Sequence, residues 1–338
     1  MKLIVKKRPL QTTFILVGII VLGVSLFCLL AWWEARERAA GTDADPYSDY
    51  GRRVVSYQGE SYALRDGLET ILFIGVDQYR AETKPDSYNN TQQADFLLLS
   101  VLDHKNKTNT VLHLNRDTMA DIPVLGVRGE KAGSIKGQLA LAHTYGSGGR
   151  DSSRNTVEAV SNLLYGISID HYLAVTMDAV ALVNDLSGGV QVEMREDFSA
   201  IDPAMKKGAV VTLKGEQALS YVRVRKGLDD STNLGRMERQ RQYLDALRGR
   251  LRASTEGDDS FLLHAVSSLS RYMESDCTVE QLSRLFQETQ TYQHGEIVSL
   301  EGRSVQGKEF MEFYADEDAL RLRVIHCFYE PYTQGDQS

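Results

Sequence analysis

The distribution of apolar and polar positions divides this chain into two very different parts. From Leu10 to Trp33 no side chain carries a charge, and the centre reads Phe14-Ile15-Leu16-Val17-Gly18-Ile19-Ile20-Val21-Leu22. A helix needs roughly 20 apolar residues to cross the hydrocarbon core of a bilayer, and this stretch has them. Lys2, Lys6, Lys7 and Arg8 precede it, and Trp32 and Trp33 close it. The charge bias places the amino terminus in the cytoplasm, and the tryptophans fit an interfacial belt. The reading is a signal anchor, residues 10–33, after a cytoplasmic tail, residues 1–9. A cleaved signal peptide is the alternative, although its apolar region usually spans about 7 to 15 residues. Residues 34–66 are polar and broken by Gly41, Pro46 and Gly51, so they read as an extracytoplasmic spacer with a short strand near Val54-Val55.

Beyond the spacer the periods alternate. Glu69 to Asp77 contains a continuous apolar run, as expected of a strand buried on both faces. Phe96–Leu102 and Thr110–Leu114 repeat the pattern, and Asp103 to Lys107 between them suits a hairpin turn. Helical spacing follows from Asp151-Ser152-Ser153, taken as a cap, through Leu164. His171–Met177 reads as a strand, Asp178–Leu186 as a helix and Val190–Met194 as a strand with one wet face. Gly215–Tyr221 reads as helix. The longest helix covers about Leu234 to Ala253, with Met237, Leu244, Leu247 and Leu251 as its stripe. Phe261–Met273 and Val279–Tyr292 are two further amphipathic helices, the second opened by the capping pair Thr278 and Gln281. Glu296–Leu300 suits a strand, and Asp316–Phe328 fits either helix or strand. The fold class expected is α/β: a mixed central sheet flanked by helices, an α/β/α sandwich. The partition is a domain over residues 67–254 and a mostly helical C-terminal extension over residues 255–338.

Composition adds two constraints. With 42% hydrophobic and 25% charged residues, usage is that of a folded domain. The net charge is −8, and residues 1–38 hold six basic and two acidic side chains. The remainder therefore carries 32 basic against 44 acidic groups, or −12. An acidic domain is a poor partner for nucleic acid, and any local basic cluster in it becomes informative. Of three cysteines, Cys28 lies in the apolar span. Cys277 and Cys327 either pair in an oxidising exterior or stay free.

The candidate chemistry lies at strand ends, where open α/β sheets bind ligands. Asp77 follows the first strand, Asp95 opens the second, and Arg116-Asp117 follows the third. Asp77 and Asp95 either cap turns or hold Mg²⁺ (or Mn²⁺), which accepts one or two carboxylates together with phosphate oxygens. Arg223 and Arg225 stand two apart, on one face if the chain is extended there. Arg236, Arg239 and Gln240 share a helix face at i, i+3 and i+4. Five arginines in an acidic domain point to a phosphate or pyrophosphate site, bound bidentately. The alternative is a solvated face paired with Glu216, Asp229, Asp230 and Glu238.

These residues occur in one order: Gly-Val-Asp77, Ala-Asp95, Leu-Asn-Arg116-Asp117-Thr, Gly-Ile-Ser-Ile-Asp-His-Tyr172, Asp-Leu-Ser-Gly-Gly-Val, Tyr-Val-Arg223-Val-Arg225-Lys, Gly-Arg236-Met-Glu-Arg239-Gln240. Over residues 69–250 that order resembles the LytR-CpsA-Psr family of cell-wall glycopolymer ligases, which also carry a signal anchor. The resemblance implies a bacterial cell-membrane protein, single-pass, whose outer domain transfers a polyprenyl-pyrophosphate-linked glycopolymer to peptidoglycan. It implies Asp77 and Asp95 as ligands of Mg²⁺. Arg116, Arg223, Arg225, Arg236 and Arg239 would clamp the pyrophosphate with Gln240, and helices over the sheet would house the lipid tail. Asp77 or Asp117 would take the acceptor proton. A polyprenyl pyrophosphatase and a lipid-carrier-binding module without turnover are the other readings. The chain departs from the family pattern in several places. Gln93 and Ala94 replace an arginine and a small hydroxyl residue, and Phe96 replaces a threonine. Asn233 replaces an acidic residue. In the family's helix near 138–140, Gln138 and Ala140 replace lysine and asparagine.

Overall fold

The computed structural model describes residues 53–77, 92–125, 130–145, 149–225, 227–230, 232–256, 258 and 260–332. The expected membrane span at 10–33 and the cytoplasmic tail lie outside these residues. Among the described residues no helix is long and apolar enough to cross a membrane.

The chain divides into two units. The smaller, Met1–Leu64 with Pro331–Ser338, holds an antiparallel hairpin of β1 (Val54–Tyr57) and β2 (Glu60–Leu64). Its turn places Gln58 and Gly59 at positive φ, the conformation that tight hairpin turns require. Part of the expected spacer is therefore regular strand.

The larger unit, Arg65–Glu330, is built on a six-stranded sheet. Its core strands are β3 (Leu68–Val76), β4 (Ala94–Asp103) and β5 (Thr108–Leu114), a meander. The expected turn closes β4 onto β5, with Asp103 accepting from the Asn106 backbone and side chain. Ile71, Leu72, Ile74, Leu97, Leu99 and Leu112 are buried, which explains the continuous apolar runs. Gly75 is required by proximity, since a Cβ there would lie 2.8 Å from the Cβ of Phe96.

Between β5 and the next sheet strand come a hairpin, β6 (Met119–Leu125) with β7 (Lys131–Gln138), a 3-10 turn at Leu139–Thr144, and α1 (Arg150–Leu163). The 3-10 turn stands where a helix near 138–140 was expected. Helix α1 starts at Gly149 with no side-chain cap, so the expected cap at Asp151–Ser153 lies inside it instead. β8 (His171–Thr176) runs parallel to β3, and α2 (Asp178–Leu186) follows. A satellite hairpin joins β9 (Val190–Glu193) to β10 (Val210–Leu213). Helices α3 (Glu216–Arg223) and α4 (Asn233–Thr255) pack over it around Phe198, Tyr221 and Tyr243.

Residues 261–328 do not stand apart from the sheet. After α5 (Phe261–Leu269), the segment expected as helix to Met273 turns into β11 (Met273–Ser275), which pairs with β8. α6 (Val279–Thr289) has the expected capping box from Thr278 and Gln281. β12 (Gln293–Ser299) then adds parallel to β5. The sheet order is β11-β8-β3-β4-β5-β12, so both edges come from beyond residue 254, and the expected boundary there crosses a continuous fold. A hairpin of β13 (Gly302–Gln306) and β14 (Met311–Ala315) follows. α7 (Glu317–Phe328), capped by Asp316, settles the ambiguous segment as helix. Cys277 and Cys327 are both free thiols.

Candidate functional site

Because β3–β4–β5 is a meander, the end of β3, the start of β4 and the end of β5 fall at one end of the sheet. Asp77, Gln93, Asp95, Arg116 and Asp117 are gathered there. The β3–β4 register slips between Gly75 and Val76, with Phe96 and Ala94 as their partners. Asp95 is thus the extra residue of a bulge, a device that re-aims a side chain at a sheet end.

Arg116 pairs with Asp95, donates to Gln93 and places its Nε 3.5 Å from Asp117. From α4, Arg236 sets Nη1 3.5 Å from the same Asp95 carboxylate. From the end of α3, Arg223 binds Asp77 at 2.9 Å. Arg223 is helical, as α3 runs two residues beyond the expected Tyr221. Its C-cap Val224 is extended, which aligns Arg225 beyond it; the charge of Arg225 acts on both Asp117 and Arg236. Arg223 and Arg225 border a hollow of about 430 Å³ with Leu219 and Ser220. Four guanidiniums thus face three carboxylates, leaving a positive centre in an acidic domain.

The other two residues expected at the phosphate contact protein groups in the described geometry. Arg239 is buried, donating to Glu196 at 2.6 Å and to the carbonyls of Tyr221 and Val224. Gln240 donates to the Val222 carbonyl at 3.1 Å. Together they hold the Tyr221–Val224 backbone, and so the base of Arg223 and Arg225. A buried guanidinium beside a carboxylate and two carbonyls is a positional constraint, since removing one partner leaves a charge stranded.

Sequence reasoning missed Asn115 and Glu196. Asn115 Oδ1 accepts from the Asp117 backbone at 2.9 Å and from Asn233 at 2.8 Å. Asn233 in turn accepts from Arg236 at 2.6 Å. Gln138 donates to Asp117 at 3.2 Å and to the Met311 carbonyl at 2.6 Å, and Phe313 N–H donates to the Asp117 carbonyl. Hairpin β13–β14 thereby supports Asp117. The departures Gln93, Asn233 and Gln138 are therefore wired into the cluster as neutral amides. Glu196 had no signal, lying in a loop far from any motif. Gly235 opens α4 against Asp230, whose Cγ would be 2.4 Å from an added Cβ.

Burial shapes the electrostatics. It raises the pKa of Asp117, against the opposing charges of Arg116, Arg236 and Arg225. Arg236 is pushed down to about 9, first by burial and then by the charges of Arg116 and Arg225. Under the cluster, buried His113 falls to about 3 by desolvation and the charges of Arg241 and Arg236. A second, apolar hollow of about 170 Å³ lies between the sheet and α6, lined by Phe73, Leu98, Val111, Leu285 and Phe286 among others.

A mixed-sheet α/β domain with arginines and carboxylates interleaved at one sheet end is a recognisable class, and the comparisons place it. The sequence profile of the LytR_cpsA_psr family matches residues 36–321, and the chain belongs to that family. The match passes well beyond residue 250, in keeping with strands β11 and β12 completing the sheet. Among relatives, the polyisoprenyl-teichoic acid–peptidoglycan teichoic acid transferase TagV of Bacillus subtilis (strain 168) is 34% identical over 193 residues. That segment is 55% of this chain and 44% of TagV, so the chain spans less than half of that relative's length. The transferase TagU of Bacillus licheniformis is 29% identical over 72% of this chain and 70% of its own. The crystal structure of B. subtilis TagV superposes with a TM-score of 0.59 and 28% identity, covering 78% of this chain and 98% of that one. Protein gbs0355 from Streptococcus agalactiae gives a TM-score of 0.61 at 21% identity over 77% of this chain and 87% of its own; this last likeness is one of fold.

Proposed function

We propose that this protein transfers a polyprenyl-pyrophosphate-linked glycopolymer, a teichoic acid or related polymer, to a hydroxyl of peptidoglycan outside the cell. The observation that carries this is the convergence of Arg116, Arg223, Arg225 and Arg236 with Asp77 and Asp95 at one sheet end. The acceptor oxygen forms a bond to the phosphorus of the sugar phosphate, the bond to the bridging oxygen breaks, and polyprenyl phosphate leaves. Such a reaction needs positioning and charge neutralisation more than covalent chemistry. Arg116, Arg225 and Arg236 hold the pyrophosphate oxygens, with Arg223 at the rim. Arg239 and Gln240 fix the segment that presents them. Asp117, whose pKa burial raises, accepts the proton of the attacking hydroxyl.

Asp77 and Asp95 are hard oxygen donors on neighbouring strand ends, the type of set Mg²⁺ (or Mn²⁺) shares with phosphate. They fit such an ion, and in the described geometry guanidiniums already take the place of a cation beside both. When bound, the ion supplies neutralisation of the phosphate charge. A phosphate that engages Arg116 and Arg236 releases Asp95 from them. The apolar hollow beneath α6 suits the lipid tail. The span at 10–33 serves as the anchor; retention of the chain in membranes until detergent is added supports this, and release by salt alone refutes it.

The test supplies a polyprenyl-pyrophosphate-linked sugar with and without peptidoglycan oligomers, plus and minus Mg²⁺. Sugar phosphate on peptidoglycan is expected, with a loss of about 100-fold or more in Arg225→Ala and Asp95→Ala. Free sugar phosphate alone would mean a pyrophosphatase. Tight binding without turnover would mean a lipid-carrier receptor.

A further inference from the structure

At the opposite end of β3 from Asp77 lies a second cluster of chemistry-bearing side chains. Glu69 and Asp77 are eight residues apart on one chain segment, roughly 25 Å at strand rise. His171 opens β8, and Asp276 and Cys277 follow β11 in the turn before α6. One ligand atom each of His171, Asp276 and Cys277 lies within 4.8 Å of the other two. We propose that these three residues form a metal site of the zinc class that fastens the β11–α6 turn to the amino end of β8.

The surrounding contacts support this assignment. One Glu69 oxygen stands 3.2 Å from His171 Nε2, and the other 2.7 Å from His104 Nε2. His104 Nδ1 meets the Tyr292 hydroxyl at 2.6 Å. Glu69 thus stands within ion-pair distance of His171 Nε2, on the side where a carboxylate backs a metal-bound imidazole. His171 Nδ1 faces Asp276 Oδ1 at 3.8 Å, beyond hydrogen-bond range. The gap between them has room for a cation that would draw both atoms in. The backbone fixes one of them, since Tyr172 N–H donates to Asp276 Oδ1 at 3.1 Å. The Cys277 side chain already meets the Asp276 carboxylate, so its sulfur sits at the same point. The sulfur converging on the same point favours the metal.

The donor set selects among metals. Nitrogen, oxygen and sulfur together suit Zn²⁺, whereas Mg²⁺ and Ca²⁺ take oxygen. At zinc bond lengths, tetrahedral ligands lie roughly 3.5 Å apart, so the donors draw in by about an ångström. Three protein ligands leave the fourth position to water. The site is separate from the arginine–carboxylate cluster, and it joins His171 to residues 105 and 106 positions further along the sequence.

The experiment uses the full chain in detergent, stripped by a chelator, kept reduced, and titrated with Co²⁺ as the probe and Zn²⁺ as competitor. One equivalent of Co²⁺ should give a thiolate-to-metal charge-transfer band that Zn²⁺ abolishes. Cys277→Ser should remove the band while Cys327→Ser retains it, and Glu69→Gln should weaken affinity roughly 10- to 100-fold. Zinc should raise the thermal midpoint of the wild-type chain and not that of Cys277→Ser. A wild-type chain without the band, or a band that survives Cys277→Ser, overturns the proposal and leaves the three residues as a metal-free contact.

Discussion

Burial and charge pull Asp117 in opposite directions, and burial prevails, raising its pKa against three nearby guanidiniums. A base must be deprotonated to accept a proton, so activity should fall on the acid side through that raised pKa. The limb should lie above the ordinary aspartate range of about 3.9. Asp117→Asn should lower turnover by roughly 100- to 10,000-fold and remove the limb; a pH–rate profile decides, and an unchanged limb in the variant would exclude Asp117 as the base. Arg236 shows the converse, its pKa lowered by burial among Arg116 and Arg225. Like charges held together in a dry place are relieved by an anion, which is the electrostatic case for phosphate there. Asn233 and Gln93 fit the same logic: neutral amides hold the arginines in place without cancelling their charge.

Elements with strong periodicity were legible in the sequence, and those whose buried face is polar or absent were not. Strands β3, β4 and β5 read directly, being buried on both faces. Strand β7, Lys131–Gln138, exposes six of its eight residues, and β13 exposes all five, so neither strand carried an alternation to find. Helix α4 was found, but its stripe was half the story: Arg236, Arg239 and Gln240 are buried beside Met237, Tyr243 and Leu247. A hydropathy pattern treats guanidiniums as exterior, and here they are the interior. The motif order named residues that gather at one sheet end, while the contacts of Arg239 and Gln240 with the Tyr221–Val224 backbone needed distances. The role of the C-terminal helices is testable at this scale. Leu282 of α6 is fully buried with Leu173 of β8 and Val266 of α5. Leu282→Ala should cost about 2–5 kcal/mol and shift the sheet's own unfolding transition. A separate, earlier transition would show that α6 melts apart from the sheet.

For the molecule as a whole, two buried histidines weaken the fold toward acid. His113 is held down to about 3 by burial and nearby arginines, and His143 to about 4 by burial. As pH falls below about 6.5, the unfolded chain binds protons that the folded one refuses, so stability declines until the folded pKa values are reached. His113 Nδ1 finds no hydrogen-bond partner among the described residues. His113→Phe should therefore flatten the fall in urea midpoint between about pH 6.5 and 4; an identical slope would refute this. The sheet order carries a consequence for biosynthesis. Its inner strands emerge first, but β11 and β12, which cover the flanks of β8 and β5, are completed only at Ser275 and Ser299. A chain arrested before these residues would present unpaired strand edges. Folding of this sheet therefore waits for synthesis through Ser299, and the growing chain must be shielded from edge-to-edge association until then.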